Sequence, residues 1–306
     1  MIRFLIAFLF SSATACAQLV PRIDGEWWTI ARDPDLGALT TKDQQPVDFA
    51  IWQAADGTWQ VCSCIRRTKE PGNTRLLFRW EGKKLTDRDW TPMGVFMHAD
   101  PKLGESMGGL QAPFVTKHDS EFVMFYGDWE HICRATSDDG KTFTRELDHH
   151  GKSGMFTHAL GANTRDPMCL RVGETWHCYY TAHPNRHGAD YCRTSVDLKH
   201  WSEEHKVAAG GEAGDGPFSA ECPFVVQKGE AFYLFRTQKY GENAATRVYV
   251  SRNPLDFGVN RDEGDLLTTL AVAAPEIFQH EGQWYIAALR PDLKGIQLAR
   301  LSWSAK

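Results

Sequence analysis

Three carboxylates stand at nearly one spacing ahead of an aromatic residue. Asp48 lies eleven residues before Trp59, Asp166 ten before Trp176, and Glu221 eleven before Phe232. Carboxylates gathered at one place perturb one another, because like charges in a desolvated site cannot all ionise at their ordinary pKa. One such acid, kept protonated, donates to a leaving oxygen, while a second, ionised, activates water or attacks carbon directly. A third tunes the other two or stabilises positive charge developing at the reacting carbon. That division of roles suits cleavage of a glycosidic bond. Any one of the three could instead be a turn former or a salt-bridge partner; all three in register point to a shared site.

The register belongs to a repeat. Five segments share a proline or turn residue, a short apolar strand, a Gly or acidic turn, and an aromatic that opens a second apolar strand. They start at Asp48-Phe49, Ala112-Pro113, Asp166-Pro167, Cys222-Pro223 and Ala274-Pro275, and their second strands open at Trp59, Phe122, Trp176, Phe232 and Trp284. Each Pro from Pro113 onward lies nine residues before its aromatic, whereas the first copy departs, with Phe49 ten before Trp59 and its proline displaced to Pro46. A third strand is expected at 76–79, 132–136, 190–195, 247–251 and 296–301, and no stretch of a dozen residues has helical period.

Repeats 52 to 64 residues apart suit four-stranded antiparallel blades. The expected fold is therefore all-β, a single five-bladed β-propeller over residues 18–306, with Trp27-Trp28-Thr29-Ile30 closing the ring against the fifth repeat. In such a ring the first strand of every blade lines the central channel, so residues at the strand starts converge at one mouth. Gln111 and Arg165 share that rim with the three acids. Asp128, Trp129 and Arg236, near the ends of second strands, are candidate sugar contacts: Trp to stack on a ring face, Arg and Asp to bond hydroxyls. Glu276, one position inside its blade, is a fourth polar contact or a turn acid.

Asn163-Thr164-Arg165-Asp166-Pro167 and Ala220-Glu221-Cys222-Pro223 resemble the Arg-Asp-Pro and Glu-Cys motifs of the five-bladed glycoside hydrolases, the superfamily of families 43 and 32. The resemblance spans about residues 25–303. It implies Glu221 as general acid, Asp166 as transition-state stabiliser or pKa modulator, and Asp48 as the base or nucleophile of blade 1. The first blade departs from both families' motifs: Val47-Asp48-Phe49 fills the slot by register, while Asp33-Pro34 upstream fits the dipeptide of family 43. Asp48 is preferred because it shares the register of Glu221. The implied substrate is an oligosaccharide or polysaccharide of plant, algal or bacterial origin, cut from an end. Two alternatives stay open: a glycoside phosphorylase, which needs basic residues for phosphate, and a carbohydrate-binding propeller without catalysis. The resemblance also allows a channel Ca²⁺, for which the sequence shows no dedicated loop.

The remaining features bound the setting. A chain of 306 residues with 42% hydrophobic and 24% charged residues is a folded one, and a net charge of −5 without a basic run argues against nucleic acid and anionic membrane as partners. Arg3, the apolar run Phe4–Phe10 and Ala15-Cys16-Ala17 read as an export signal cleaved after Ala17, with lipidation at Cys16 as the alternative. No stretch has the length of a membrane-spanning helix. Seven cysteines would remain, an odd number set mostly in apolar strands, which reads as packing rather than a disulfide framework or zinc site. His149-His150 is expected in a solvated loop, and the Gly-rich stretch 210–216 as rim rather than phosphate loop.

Overall fold

Proline shapes the strand that opens each repeat. Its nitrogen cannot donate to a sheet ladder, so within a strand it is confined to edges and bulges. The residue before it is in the left-handed region in four blades: Ala112 (φ 36°), Asp166 (φ 57°), Cys222 (φ 47°) and Ala274 (φ 47°). Asp48 (φ 44°) takes the same place before Phe49. In the first four blades the pairing register slips at that residue. Each bulge turns the start of the strand toward the channel.

The computed structural model describes residues 18–262 and 265–306; the export-signal segment, with Cys16, lies outside the described residues. Strand β1 (Leu19–Arg32) precedes the ring. Blade 1 is β2 (Gln45–Gln53), β3 (Trp59–Arg66), β4 (Leu76–Gly82) and β5 (Thr91–Met97). Blade 2 is β6 (Gln111–His118), β7 (Glu121–Gly127) and β8 (Ile132–Ser137), with the short β9 (Thr144–Arg145) and β10 (Gly154–Phe156) both pairing with β8. Blade 3 is β11 (Arg165–Val172), β12 (Thr175–Ala182), β13 (Ala189–Ser195) and β14 (His205–Ala209). Blade 4 is β15 (Glu221–Lys228), β16 (Ala231–Lys239), β17 (Ala245–Ser251) and β18 (Leu266–Leu270). Blade 5 is β19 (Glu276–His280), β20 (Gln283–Leu289) and β21 (Gly295–Ala305), and its fourth strand is β1.

The five-bladed propeller is as expected, closure included. Trp28 pairs with Leu298 across β1 and β21, so the amino-terminal strand fastens the last blade. Among the described residues the helical segments are single 3₁₀ turns, and no helix is long and apolar enough to cross a membrane.

The marker aromatics hold neighbouring blades together. Trp59 packs on Phe278 of blade 5 (5.8 Å between centroids), Trp176 on His118 of blade 2 (5.7 Å), and Trp284 under the Lys228 ammonium of blade 4 (5.2 Å). Burying such a ring contributes about 1.5–3 kcal/mol, which explains why the sequence repeats it once per blade. The seven described cysteines are unbridged, six of them buried, in keeping with cysteine as a small hydrophobe.

The register of blade 1 needs one correction. Counting back from the aromatic aligned Asp48 with Glu221. The backbone aligns it instead with Asp166 and Cys222, at the left-handed position. Five residues separate Gln53 from its partner Trp59, against four between the equivalent Lys117 and Phe122. The longer turn displaces the count by one, and Glu221 matches Val47, Gln111 and Arg165.

Candidate active site

The five left-handed residues ring the top of the channel, where Glu276 also faces inward. Above them opens a cavity of about 430 Å³. Asp48, Gln111, Arg165 and Glu221 line it from the strand starts; Arg66, Trp129, His183 and Tyr240 line it from the ends of second strands; Arg75 precedes β4.

The strand starts bring the predicted carboxylates together. Asp166, Arg165 and Glu221 are buried and Asp48 is half-buried. One oxygen each of Asp48 and Asp166 and the Cys222 sulfur lie within 4.8 Å of one another. Arg165 serves two acids: its Nη2 bonds Glu221, and its Nε lies 3.7 Å from Asp166 Oδ2. Asp166 Oδ2 also accepts from the Cys222 backbone N–H at 3.0 Å, tying blade 3 to blade 4, while its Oδ1 has no partner among the described residues.

One guanidinium cannot compensate two buried carboxylates. Burial, and then the charge of Glu221, raise the Asp166 pKa against the opposing pull of Arg165. Burial likewise raises Glu221, although Arg165 draws it down. The two titrate as a pair, with uptake favoured above the ordinary carboxylate range.

Asp48 has a different environment. Its Oδ1 accepts from the Cys222 thiol and from the Tyr240 hydroxyl, both at 3.2 Å, and those two groups stand 3.1 Å apart. Burial pushes both the thiol and the phenol well above their ordinary values, so each keeps its proton and remains a donor. Both donors converge on a single oxygen of Asp48.

The remaining candidates divide. Gln111 faces the cavity, and its buried Oε1 lacks a partner among the described residues. Trp129 lines the cavity at φ 87°, a conformation costing a non-glycine residue about 1–3 kcal/mol. Asp128 does not reach the cavity. Its buried Oδ1 accepts from the N–H groups of Glu130 (2.9 Å) and His131 (2.6 Å), so it builds the turn that holds Trp129.

Arg236 was expected at the pocket and is elsewhere. It is buried inside blade 4 with Nε 3.9 Å from Asp190 Oδ2, because four residues past Phe232 is mid-strand rather than strand end. Asp33 is also away from the cavity, bonded to Gln44 (2.9 Å) and Lys294 (3.0 Å), which leaves Asp48 as the acid of blade 1. Glu276 is buried at the channel wall, where Oε2 accepts the Ile51 N–H of blade 1 at 2.9 Å. His149 and His150 are exposed in a turn, and the 210–216 loop leads to Pro217 and Phe218 at the rim.

Sequence reasoning missed Arg66, Arg75, His183 and Tyr240. A signal existed for two of them. Arg66, Trp129 and His183 each stand seven residues after the marker aromatic of their blade, at the upper end of the second strand. Tyr240, eight after Phe232, is one step beyond that register.

The donor set of Asp48, Asp166 and Cys222 does not fit a channel Ca²⁺. That ion takes six to eight oxygens, and here a protonated thiol fills one of three places.

No family model matches the sequence, and no curated protein matches it. Solved structures match its fold. A thermostable family-43 glycoside hydrolase superposes with a TM-score of 0.63 at 14% identity, covering 86% of this chain and 90% of that one. An exo-1,5-alpha-L-arabinanase from a bovine ruminal metagenomic library gives 0.60 at 18%, covering 84% and 92%. The Bombyx mori GH32 beta-fructofuranosidase gives 0.60 at 14%, covering 90% and 64%. The chain thus has the five-bladed architecture common to family 43 and family 32 enzymes.

Proposed function

We propose that the protein is a glycoside hydrolase that removes a terminal sugar from a glycan. The observation that carries this reading is the convergence of Asp48, Asp166 and Glu221, from three blades, at the mouth of one channel. The shared fold of the family 43 and family 32 enzymes supports it.

In this reading the Asp166–Glu221 pair enters the reaction holding a proton. Glu221 faces the cavity and delivers it to the glycosidic oxygen as the bond to the anomeric carbon breaks. Asp166 stays below in the channel and shares the proton with Glu221, while burial first and the charge of Asp48 next keep the Glu221 pKa high enough for the proton to be present. Asp48, held by Cys222 and Tyr240 through one oxygen, has the other for activating water or for attacking the anomeric carbon. A cavity of about 430 Å³ supports a single terminal unit over a long bound stretch. Export is proposed on the leader-like residues 1–17 alone.

The test is release of sugar from aryl glycosides and natural oligosaccharides by the wild type and by Glu221→Gln. The amide keeps the shape and removes the proton donor, so release should fall about 10²- to 10⁴-fold with the fold intact. Because the acid must be protonated, wild-type turnover should decline as pH rises through the raised pKa of the pair. Equal release by Glu221→Gln would remove Glu221 from the mechanism.

A further inference from the structure

Three arginines face the cavity and are held in different ways. Arg165 is neutralised by Glu221 and Asp166. Arg66, the last residue of β3, and Arg75, just before β4, have no carboxylate at ion-pair distance among the described residues. Arg66 Nε donates to the neutral Gln45 Oε1 at 2.9 Å. The Arg75 guanidinium lies 4.9 Å from the Trp129 ring centroid.

Each guanidinium carries five N–H donors. Arg66 spends one on Gln45, and a ring face takes none in the ordinary sense. Both side chains are nevertheless fixed, Arg66 by the Gln45 amide and Arg75 by stacking. The Arg75 support is itself constrained: Trp129 is kept at φ 87° by the turn that Asp128 ties. A strained residue that a buried carboxylate holds under an unpaired cation is an arrangement for recognition, since a fixed planar fork loses little entropy on meeting a planar anion. The acids facing the same cavity are Asp48, Glu221 and Glu130, whose Oε2 accepts from the Gly161 N–H. These acids repel an anion, and Arg165 is already paired, so the guanidiniums of Arg66 and Arg75 are the cavity groups left to hold one.

We propose that Arg66 and Arg75 form an oxyanion subsite beside Asp48. It takes a carboxylate or sulfate carried by the sugar, or a free phosphate bound with it. For the sugar-borne anion the inference deepens the glycosidase reading and rests on it. The anion would anchor the glycone on the blade 1 side and turn its anomeric carbon toward the three carboxylates. For free phosphate, a phosphate oxygen would bond to the anomeric carbon as the glycosidic C–O bond breaks. The Glu221 proton would go to the departing oxygen, and the product would be a glycosyl phosphate.

Binding rather than turnover is the first readout, so failure of catalysis does not obscure it. Calorimetry on the intact protein would compare glucuronate and galacturonate with glucose and galactose, with inorganic phosphate and inorganic sulfate as separate arms. The expected result is an anion preference of about tenfold or more, weakened by salt and lost to a similar degree in Arg66→Met/Arg75→Met. Arg75→Lys keeps the charge without the stacked fork and should lose part of it. Uronates binding tighter than both neutral sugars and inorganic anions assigns the anion to the sugar. Phosphate binding tightly by itself, with glycosyl phosphate released from oligosaccharides, assigns it to the co-substrate. Equal binding of charged and neutral ligands by the wild type overturns the proposal, and this comparison needs no variant to fold. Unchanged anion binding by the folded double variant overturns it as well. A protein that binds uronates through these arginines but cleaves no glycoside would retain the subsite and lose the hydrolase.

Discussion

The five blades place the same backbone conformation at the channel mouth but not the same side chain. Blades 2 and 5 put Ala112 and Ala274 in the left-handed position, while blades 1, 3 and 4 put Asp48, Asp166 and Cys222 there. Alanine therefore suffices to build the bulge. It does so without the local side-chain hydrogen bonding that lets aspartate tolerate this region. The acids of blades 1 and 3 add burial and mutual repulsion to a bulge that forms without them. A fold alone gives no reason for that expense, whereas a site that must move protons does.

The largest expected effect breaks this comparison directly. Asp48→Ala and Asp166→Ala each give an acidic blade the residue of blades 2 and 5. Both should fold, with melting temperatures within about 4 °C of the parent, because loss of the left-handed preference and relief of repulsion nearly offset. Turnover should fall about 10²- to 10⁴-fold in each. Thermal melts followed by circular dichroism and sugar release on one preparation would check both. Collapse of the fold in either variant would show that the acid is structural there.

The part of this arrangement that was legible in the sequence is the part built from local rules. The proline that forces a bulge and the aromatic that bridges blades are separated by a fixed hairpin, so Asp166, Glu221, Gln111 and Arg165 could be placed by counting. Counting failed by one in blade 1, because its hairpin turn is a residue longer. It placed Asp48 in the right cavity with the wrong equivalent. Asp128 and Arg236 look alike as polar residues late in a second strand, but one ties a turn and the other is mid-strand. Tyr240 and Arg75 lie beyond strand ends, where the path of the connecting loop decides what a side chain faces, and no periodicity reports that path.

A second comparison sets the carboxylate cluster at the channel mouth against the buried pair Asp190 and Arg236. The cluster has more acids than cations. The pair is one to one, yet at 3.9 Å it is a loose match, and burial lifts the Asp190 pKa to about 7 in spite of Arg236. A carboxyl whose folded pKa lies above its unfolded value near 3.8 binds its proton more tightly in the folded state. Its contribution to stability is full below 3.8 and is lost as pH rises through about 7. Arg236→Met removes the opposing cation and raises that pKa further. The expected cost is about 3–5 kcal/mol at pH 9 and distinctly less at pH 5, where the acid is already neutral. Denaturant melts at the two pH values would check it. A cost independent of pH would mean that Arg236 acts by packing alone.

Cys222 offers the finest division of the five positions. Its backbone N–H serves Asp166 and its thiol serves Asp48 and meets Tyr240, so Cys222→Ala keeps the first contact, removes those of the thiol and gives blade 4 the side chain of blades 2 and 5. Tyr240→Phe removes the other donor to the same oxygen of Asp48. Each lost hydrogen bond to a carboxylate is worth about 1.5–3 kcal/mol at most, and the remaining donor can take up part of it. Either single variant should therefore lower turnover by about tenfold, far less than Asp48→Ala. The pair together should exceed the product of the singles, because Asp48 then keeps neither donor. Rescue by a conservative variant separates positioning from packing. Cys222→Ser keeps a hydroxyl donor at the same place and should retain most of the turnover that Cys222→Ala loses. A loss by Cys222→Ser as large as that of Cys222→Ala would show that the thiol merely fills space around Asp48.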